Sequence, residues 1–526
     1  MKSKLSQIEN VIHFSLWILA CFYSLYKLLC AQTEILESKP APRHEFRDLA
    51  PGWRFLSRLK DETDVEWSTW KYHIQTLWLY LLFQFFISEA IRRYNVHLLK
   101  YWYIISSIFC VTRYMGIRQL IVIFAQPVLF SAIVFSGGGK ISIWSTSIFL
   151  LALYNSLKYK YFFWHFLDTD HLRDEEVFVL LYGIAWVELR CISYCLDYID
   201  RKEKHLQAQE NGQLKQASLF EELINMFSYV LYLPLLFVGP LLLYEEFEKS
   251  FLVKSETLTM RLKSFILEML RFQIYTILLD LAFHFIYFYA MQSQIEAIRK
   301  MPSLALCGGG LWMGLEFHMK YVVSYGTTAA YSRLDHIDPP PTPRCIVRIH
   351  VYSQMWRYFD VGLYRFLLKY IYKPALATMS SNFPRLKITN KLLSSLVTFM
   401  FIFLWHGIMW NIFLWSALNY VGIVIEYAAK AASKTERYRV FKENYLKTDA
   451  MEVRFQAFLC APLLGMSAIS NFYLFAGAEV GNLYFELLKW PSFYNAVLVY
   501  TSLYCCCHVA IALSDVPSRT DVKKFK

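Results

Sequence analysis

Two side chains in the C-terminal half could together move a proton: His406, within Trp405-His406-Gly407, and Asp360, within Trp356-Arg357-Tyr358-Phe359-Asp360. Imidazole titrates near neutral pH, so His406 could take a proton from an attacking nucleophile. It sits at the centre of Leu392 to Trp415, a run of membrane length that is otherwise nearly all apolar. A charged group in such a place costs about 2 kcal/mol or more on insertion scales, so it marks a partner or a task. The bland alternative for His406 is a neutral ring hydrogen-bonded to a neighbouring helix. For Asp360 it is an ion pair with Arg357, three residues earlier on the same helix.

Other polar residues in apolar surroundings are Asn411, Asn419, Glu426, Asn471 and His508. Each can simply bridge helices, at about 0.6 kcal/mol in membrane proteins. Asp335, His336 and Asp338 read as loop residues at the proline-rich turn that ends Pro343-Arg344. Cys345 follows that turn and can be a core thiol, a lipidated thiol or an axial metal ligand. The eleven cysteines form no disulfide or zinc pattern, since CxxC never occurs. Most lie in or beside apolar runs, where free cysteine acts as a small hydrophobe. Gly308-Gly309-Gly310 lacks the lysine-serine sequel of a phosphate loop.

These groups need a scaffold, and composition names it. The chain has 526 residues, 56% hydrophobic, 18% aromatic and only 18% charged, with a mean hydropathy of +0.30. Soluble domains carry more charge and fewer aromatics. The net charge of +12 fits Lys and Arg held in cytoplasmic loops. Nucleic-acid binding is argued against, because no basic cluster sits in a separable soluble module.

The first apolar run, Val11 to Cys30, lacks a small-residue cleavage site and reads as a signal anchor. A polar segment, Ala31 to Lys71, follows, with near-balanced charge that suits the side away from the cytosol. Further runs cover Gln75 to Ile91, Leu98 to Val111, Arg118 to Ser136, Ile141 to Leu157 and Val177 to Ile199. Asp200 to Gln216 reads as a solvated linker. Then come Leu219 to Tyr244, Leu262 to Met291 and Leu304 to Tyr331. Pro234 and Gly239-Pro240 point to a broken helix near a site, because proline frees backbone groups that lipid cannot satisfy. A second charged linker, Ala431 to Arg454, precedes Phe455 to Phe475 and Phe493 to Leu513.

The expected fold is therefore an all-α polytopic membrane protein with roughly ten to twelve membrane segments, some re-entrant. It is expected to be one membrane domain over residues 1–526, without internal repeats. N-terminal spans and a polar loop (1–218) lead into a catalytic core at about residues 219–513. The last four residues, Lys523-Lys524-Phe525-Lys526, have the spacing of a dilysine retrieval signal or are an ordinary basic tail.

Several stretches carry a resemblance in their order. They are DETDVEW (Asp61 to Trp67), YLPLLFVGP (Tyr232 to Pro240), Pro343-Arg344-Cys345 with MWRYFDVGL (Met355 to Leu363), and Trp405-His406-Gly407. SNFYLFAGAEVG (Ser470 to Gly481) and His508 to Ala512 complete the set. Together they resemble the membrane-bound O-acyltransferase superfamily (MBOAT), and within it the branch that N-palmitoylates secreted signalling proteins, over nearly the whole chain. The resemblance implies a helical bundle around an internal reaction chamber. It also implies His406 and Asp360 as the catalytic residues and Trp356, Asn471 and Arg357 as substrate-binding residues. Cys345 falls at the position of a haem-ligating cysteine, which implies haem b. A branch of the family that has lost the histidine is considered non-catalytic, and this chain keeps His406. Two departures stand out: Tyr364-Arg365 where some members have His-Asn, and Ile408 where some have a second Gly.

The implied reaction moves a palmitoyl group from palmitoyl-CoA to the N-terminal cysteine amine of a secreted hedgehog-type signalling protein. It would take place in the endoplasmic-reticulum membrane, with the Golgi as a further location. The acyl tail would lie between helices within the lipid bilayer, and Arg344, Arg348, Lys369 and Lys373 would meet the phosphates of CoA. The alternatives are an acyltransferase for a lipid or other hydroxyl, a multi-pass transporter, and a scaffold that binds the signalling protein without modifying it. Transporters usually carry inverted repeats, which are not detectable here.

Overall fold

Asp64 closes the polar segment and starts the first long internal helix, its carboxylate accepting the Trp67 N–H at 2.9 Å. The computed structural model describes residues 5–38, 49–156, 165–167, 172–209, 218–252, 256–487 and 492–514. Lys523 and Lys524 lie outside the described residues. Helix α1 (Gln7–Ser38) leads to an antiparallel hairpin, β1 (Leu49–Pro51) with β2 (Leu59–Asp61), in which Leu49 faces Asp61. Then come α2 (Val65–Tyr94), α3 (Leu99–Tyr114), α4 (Ile117–Phe135), α5 (Lys140–Asn155) and α6 (Asp174–Gln209).

The expected span Leu219 to Tyr244 is indeed broken. Helix α7 (Leu219–Val230) stops, residues 231–243 run through a short turn and an extended stretch, and α8 (Tyr244–Lys249) resumes. The extended stretch packs so closely that a Cβ on Gly362 would lie 2.1 Å from the Leu241 carbonyl oxygen. Only glycine fits there. Beyond it lie α9 (Leu258–Phe283), α10 (Ser303–Leu334), α11 (Tyr352–Tyr358) and α12 (Val361–Phe366). A wide π-type turn, Leu367–Tyr372, joins α12 to α13 (Lys373–Asn382). The chain ends in α14 (Lys387–His406), α15 (Trp410–Ala432), α16 (Glu436–Tyr445), α17 (Asp449–Phe475), α18 (Gly477–Glu486) and α19 (Phe493–Ser514).

Among the described residues, eight helices are long and apolar enough to cross a bilayer: α1, α2, α4, α6, α14, α15, α17 and α19. The protein is thus a multi-pass, all-α membrane protein. Helix α10 has 32 residues, enough to cross, but Glu316 and Lys320 interrupt its apolar sequence and are buried in the bundle.

Three expectations change. The run Leu392 to Trp415 is not one segment with His406 at its centre; α14 stops at His406 and α15 starts at Trp410. The charged stretch from Asp200 is not all linker, since α6 continues through it to Gln209. Ala431 to Arg454 likewise holds the helix α16. Charged residues at 3–4 spacing support a helix as well as they support a coil, so polarity alone misjudged both stretches.

The ends of the bundle are fixed by ion pairs and hydrogen bonds. Gln32, late in α1, donates to the Phe285 carbonyl and accepts from the Tyr287 N–H. Asp280, late in α9, holds Lys60 at 3.0 Å and Lys71 at 3.1 Å. This is the hairpin end. At the opposite end Glu9 meets Arg454 at 2.8 Å, and Asp335 pairs with Arg92. Asp335 and His336 lie in the turn that follows α10, as expected, but Asp335 is only 3% exposed and also accepts from the Tyr232 hydroxyl. Burial pushes its carboxyl up to about 6.

Candidate active site

His406 ends α14 because Gly407 takes φ +120°, a conformation that L side chains rarely adopt. The break would strand backbone groups in apolar surroundings, where each must find a partner. Asn155, the last residue of α5, supplies two. Its Oδ1 accepts the Ile408 N–H at 2.9 Å and its Nδ2 donates to the Leu404 carbonyl at 3.3 Å.

The His406 ring stands edge-on between Trp405 and Trp415, with both centroid distances 4.9 Å. Trp415 donates its indole N–H to Asn471 Oδ1 at 3.1 Å, and Asn471 Nδ2 donates to the Ser467 carbonyl at 2.9 Å. Asn471 thus fixes the tryptophan that fixes the histidine. Among the described residues nothing hydrogen-bonds to the His406 ring, whose accessible surface faces a large internal cavity.

Asp360 lines the same cavity, of about 1700 Å³. It caps α12 by accepting the Leu363 N–H at 2.8 Å, and its other oxygen accepts the Tyr325 hydroxyl at 3.0 Å. Burial pushes its carboxyl above the usual range, against the lowering effect of these two donors. The expected pair with Arg357 does not form. Both Asp360 oxygens are engaged, and Arg357 turns over the Tyr364 ring at 6.0 Å. Trp186 ties the two halves together, edge-to-face with Tyr325 at 6.4 Å and with Trp405 at 5.5 Å.

Trp356 donates its indole N–H to Asn419 Oδ1 at 3.1 Å and packs perpendicular to Phe399. Asn411 donates to the Tyr473 carbonyl and Glu426 accepts the Ser353 N–H, so both bridge elements as their bland reading holds. His508 stacks on His13, ring centroids 4.1 Å apart.

Along α10 a polar ladder reaches from Asp360 toward the hairpin end. Tyr325 is followed one turn back by Tyr321, whose hydroxyl donates to Glu66 Oε1 at 2.7 Å. Glu66 Oε2 meets Lys320 Nζ at 2.9 Å, and Lys320 also holds Asp64 at 2.7 Å and Glu316 at 3.6 Å. Three carboxylates surround one ammonium. Glu66 is the outlier in access, 31% exposed against 5% for Lys320, and it lines the cavity. The ladder was not foreseen from sequence. Its signal was present in Glu316 and Lys320, two ionisable residues four apart inside an apolar run.

The four basic residues expected at the phosphates of CoA do not form a free cluster. Lys369 is bound between Asp197 and Glu245, at 2.8 and 3.1 Å. Arg348 donates to the Leu513 carbonyl, Arg344 lies over the Tyr358 ring at 4.6 Å, and Lys373 is exposed at the start of α13. Cys345 is exposed and precedes the short turn Ile346–Arg348. Ile346 and Val347 line the cavity near Cys21, Leu503 and Cys506, an apolar wall. The exposed Cys345 thiol is accessible to a ligand on sulfur, and among the described residues no group of three or more His, Cys, Asp or Glu could hold a metal ion.

Comparison with known proteins converges on one group. The model of the membrane-bound O-acyltransferase family, MBOAT, matches residues 130–466. The chain is 26% identical over 526 residues to the protein-cysteine N-palmitoyltransferase Rasp of Drosophila melanogaster, covering 99% of this chain and 98% of that protein. It is 27% identical over 506 residues to the protein-cysteine N-palmitoyltransferase HHAT of Mus musculus, covering 93% and 94%. A mouse HHAT-like protein matches at 24% over 389 residues, 73% of this chain and 72% of that one.

Proposed function

This chain belongs to the membrane-bound O-acyltransferase family, and from that premise we propose that it transfers palmitate from palmitoyl-CoA to the N-terminal cysteine amine of a secreted hedgehog-type protein. The observation that carries the reading is the single cavity shared by His406, Asp360 and the Glu66–Tyr321–Tyr325 ladder. The full-length similarity to two protein-cysteine N-palmitoyltransferases supports it.

The acyl tail lies along the apolar wall of Met355, Trp356, Trp415 and Leu418. The acceptor amine comes from the polar wall at the hairpin end, which is the luminal side. His406 takes the proton of the ammonium; the free amine then attacks the thioester carbonyl. A C–N bond forms and the C–S bond breaks; the nitrogen's second proton passes through His406, which has released the first to solvent, to the departing CoA thiolate, leaving the neutral amide. Asp360, held by Tyr325 and the Leu363 N–H, orients the amine and supports its charge. Asn471 and Trp356 position the surrounding rings, and exposed Arg357 beside Tyr364 contacts the donor. No covalent acyl-enzyme is needed.

Haem bound to the Cys345 thiolate has a structural role in this reading and supplies no step of the transfer. Its test is a Soret band in the purified protein that Cys345→Ala removes; a colourless protein with full activity ends the idea. The enzyme resides in the endoplasmic-reticulum membrane; the reacting groups fall in the core at about residues 219–513, and the earlier helices complete the chamber through Glu66, Asn155 and Trp186.

The decisive assay uses purified protein, palmitoyl-CoA and peptides bearing N-terminal Cys, Ser or a blocked amine. An amide product from the free-amine peptides is expected, with His406→Ala lowering the rate by about a hundredfold to ten-thousandfold. Acylation of lipid or hydroxyl acceptors alone, or an unchanged rate in His406→Ala, rejects the reading.

A further inference from the structure

Glu66, Thr69 and His73 lie three and four residues apart on one face of α2, and all three line the cavity. Glu66 is satisfied by Lys320 and Tyr321. The other two are not. Thr69 is 2% exposed and His73 5% exposed. Among the described residues, Thr69 Oγ1 and His73 Nδ1 are buried without a hydrogen-bond partner. A helical threonine usually donates back to the carbonyl one turn earlier, and Thr69 does not. Among the described residues the aromatic neighbours of the His73 ring are Trp70, Tyr114 and Phe237, with Phe237 edge-on at 5.4 Å. Buried polar atoms are ordinarily paired, so two unpaired ones on side chains that line the cavity, both closed off in their present rotamers, mark groups that a bound ligand would draw out and pair.

We propose that Thr69 and His73 form a subsite that hydrogen-bonds the peptide backbone of the first residues of the acceptor. The proposal rests on the peptide-acceptor reading above and adds where the peptide lies. Seven residues of helix separate Glu66 from His73, a rise of about 10 Å, which about three extended residues span. The Tyr321–Tyr325 ladder leading to Asp360 lines the same cavity. An extended chain between the two walls has amide groups at intervals that Thr69 and His73 can reach by side-chain rotation. The donor is excluded from this wall by charge: Glu66 and Asp360 repel the phosphates of CoA, and an alkyl chain would leave both polar atoms unpaired.

The test measures binding of a fluorescent acceptor peptide and the KM for each substrate in the full-length protein, with Thr69→Val, His73→Phe and the pair. Loss of two neutral hydrogen bonds is expected to raise the peptide Kd and KM about tenfold or more, while the KM for palmitoyl-CoA stays unchanged. Peptides N-methylated at the second and third residues should lose affinity for the parent protein and lose none further for the double variant. His73→Asn and Thr69→Ser, which keep a donor, should recover most of the affinity and show that the bundle still folds. Unchanged peptide KM in the double variant, a raised KM for palmitoyl-CoA instead, or equal N-methyl penalties in parent and variant overturns the subsite. If the parent protein binds no peptide at all, the peptide-acceptor reading fails before the subsite is in question.

Discussion

The two walls of the cavity are built from opposite materials. The lining holds a polar set, Glu66, Lys320, Tyr321, Tyr325 and Asp360, and an apolar set, Met355, Trp356, Trp415 and Leu418. The polar wall is held by charge-assisted hydrogen bonds, the apolar one by ring packing, as between Trp356 and Trp415 with centroids 5.7 Å apart. His406 belongs to both, with its ring packed on Trp415 and its nitrogens free of hydrogen bonds among the described residues. The contrast teaches that one chamber can accept a charged amine and an alkyl chain only if each has its own wall and the reacting group sits at the seam.

The largest way to break the contrast is to remove its central charge. Lys320→Ala leaves Asp64 and Glu66 without their cation, which should cost about 3–5 kcal/mol. Thermal unfolding in detergent should show it as a sharp loss of stability, whereas an unchanged midpoint would mean that the carboxylates are not ionised together. Next, Asp360→Asn keeps an acceptor for the Leu363 N–H but removes the charge, so acyl transfer should fall about a hundredfold with the fold intact. A rate near that of the parent would reduce Asp360 to a helix cap. On the apolar side, Leu418→Trp should shift preference from palmitoyl-CoA toward shorter chains, each lost methylene contact being worth about 0.8 kcal/mol. Competition between donors of different length measures this. The smallest effect belongs to the seam. Asn155→Leu unpins the Ile408 N–H and the Leu404 carbonyl, which should lower kcat severalfold, at about 1 kcal/mol per lost bond. Asn155→Asp keeps the acceptor for Ile408 and should recover part of the rate.

How much of this could be read from the residues depends on which wall is considered. His406, Asp360, Trp356 and Asn471 stood out by type and by ordered motifs, and all four line the cavity. Their partners did not. Nothing local in the sequence says that Tyr325 meets Asp360 or that Trp415 leans on Asn471, because each pair joins elements far apart in the chain. The break after His406 was hidden for a different reason. Gly407 lies between two apolar runs, and hydropathy does not register a single residue of positive φ. The break at residues 231–243 was visible because proline announces itself. Arg357 and Asp360 show the opposite error: a spacing that would allow an ion pair was realised as two separate contacts, since α11 ends at Tyr358.

Helix α1 packs against α10 and against α19, and Glu9 of α1 is clasped by Arg454 of α17. That arrangement imposes an order on biogenesis. A chain made from its N-terminus folds in that direction, so Lys320 is born into a bundle where Asp64 and Glu66 are already waiting. The first helix is in the reverse position. It is made before α10 and α19 and can pack on them only once they are inserted, beside the cavity-lining Trp17 and Cys21. Ribosome-bound chains cut short of α17 and α19 should therefore display the acceptor wall without a sealed chamber. Catalytic competence is then expected only once α17, which carries Asn471, and α19 are in place.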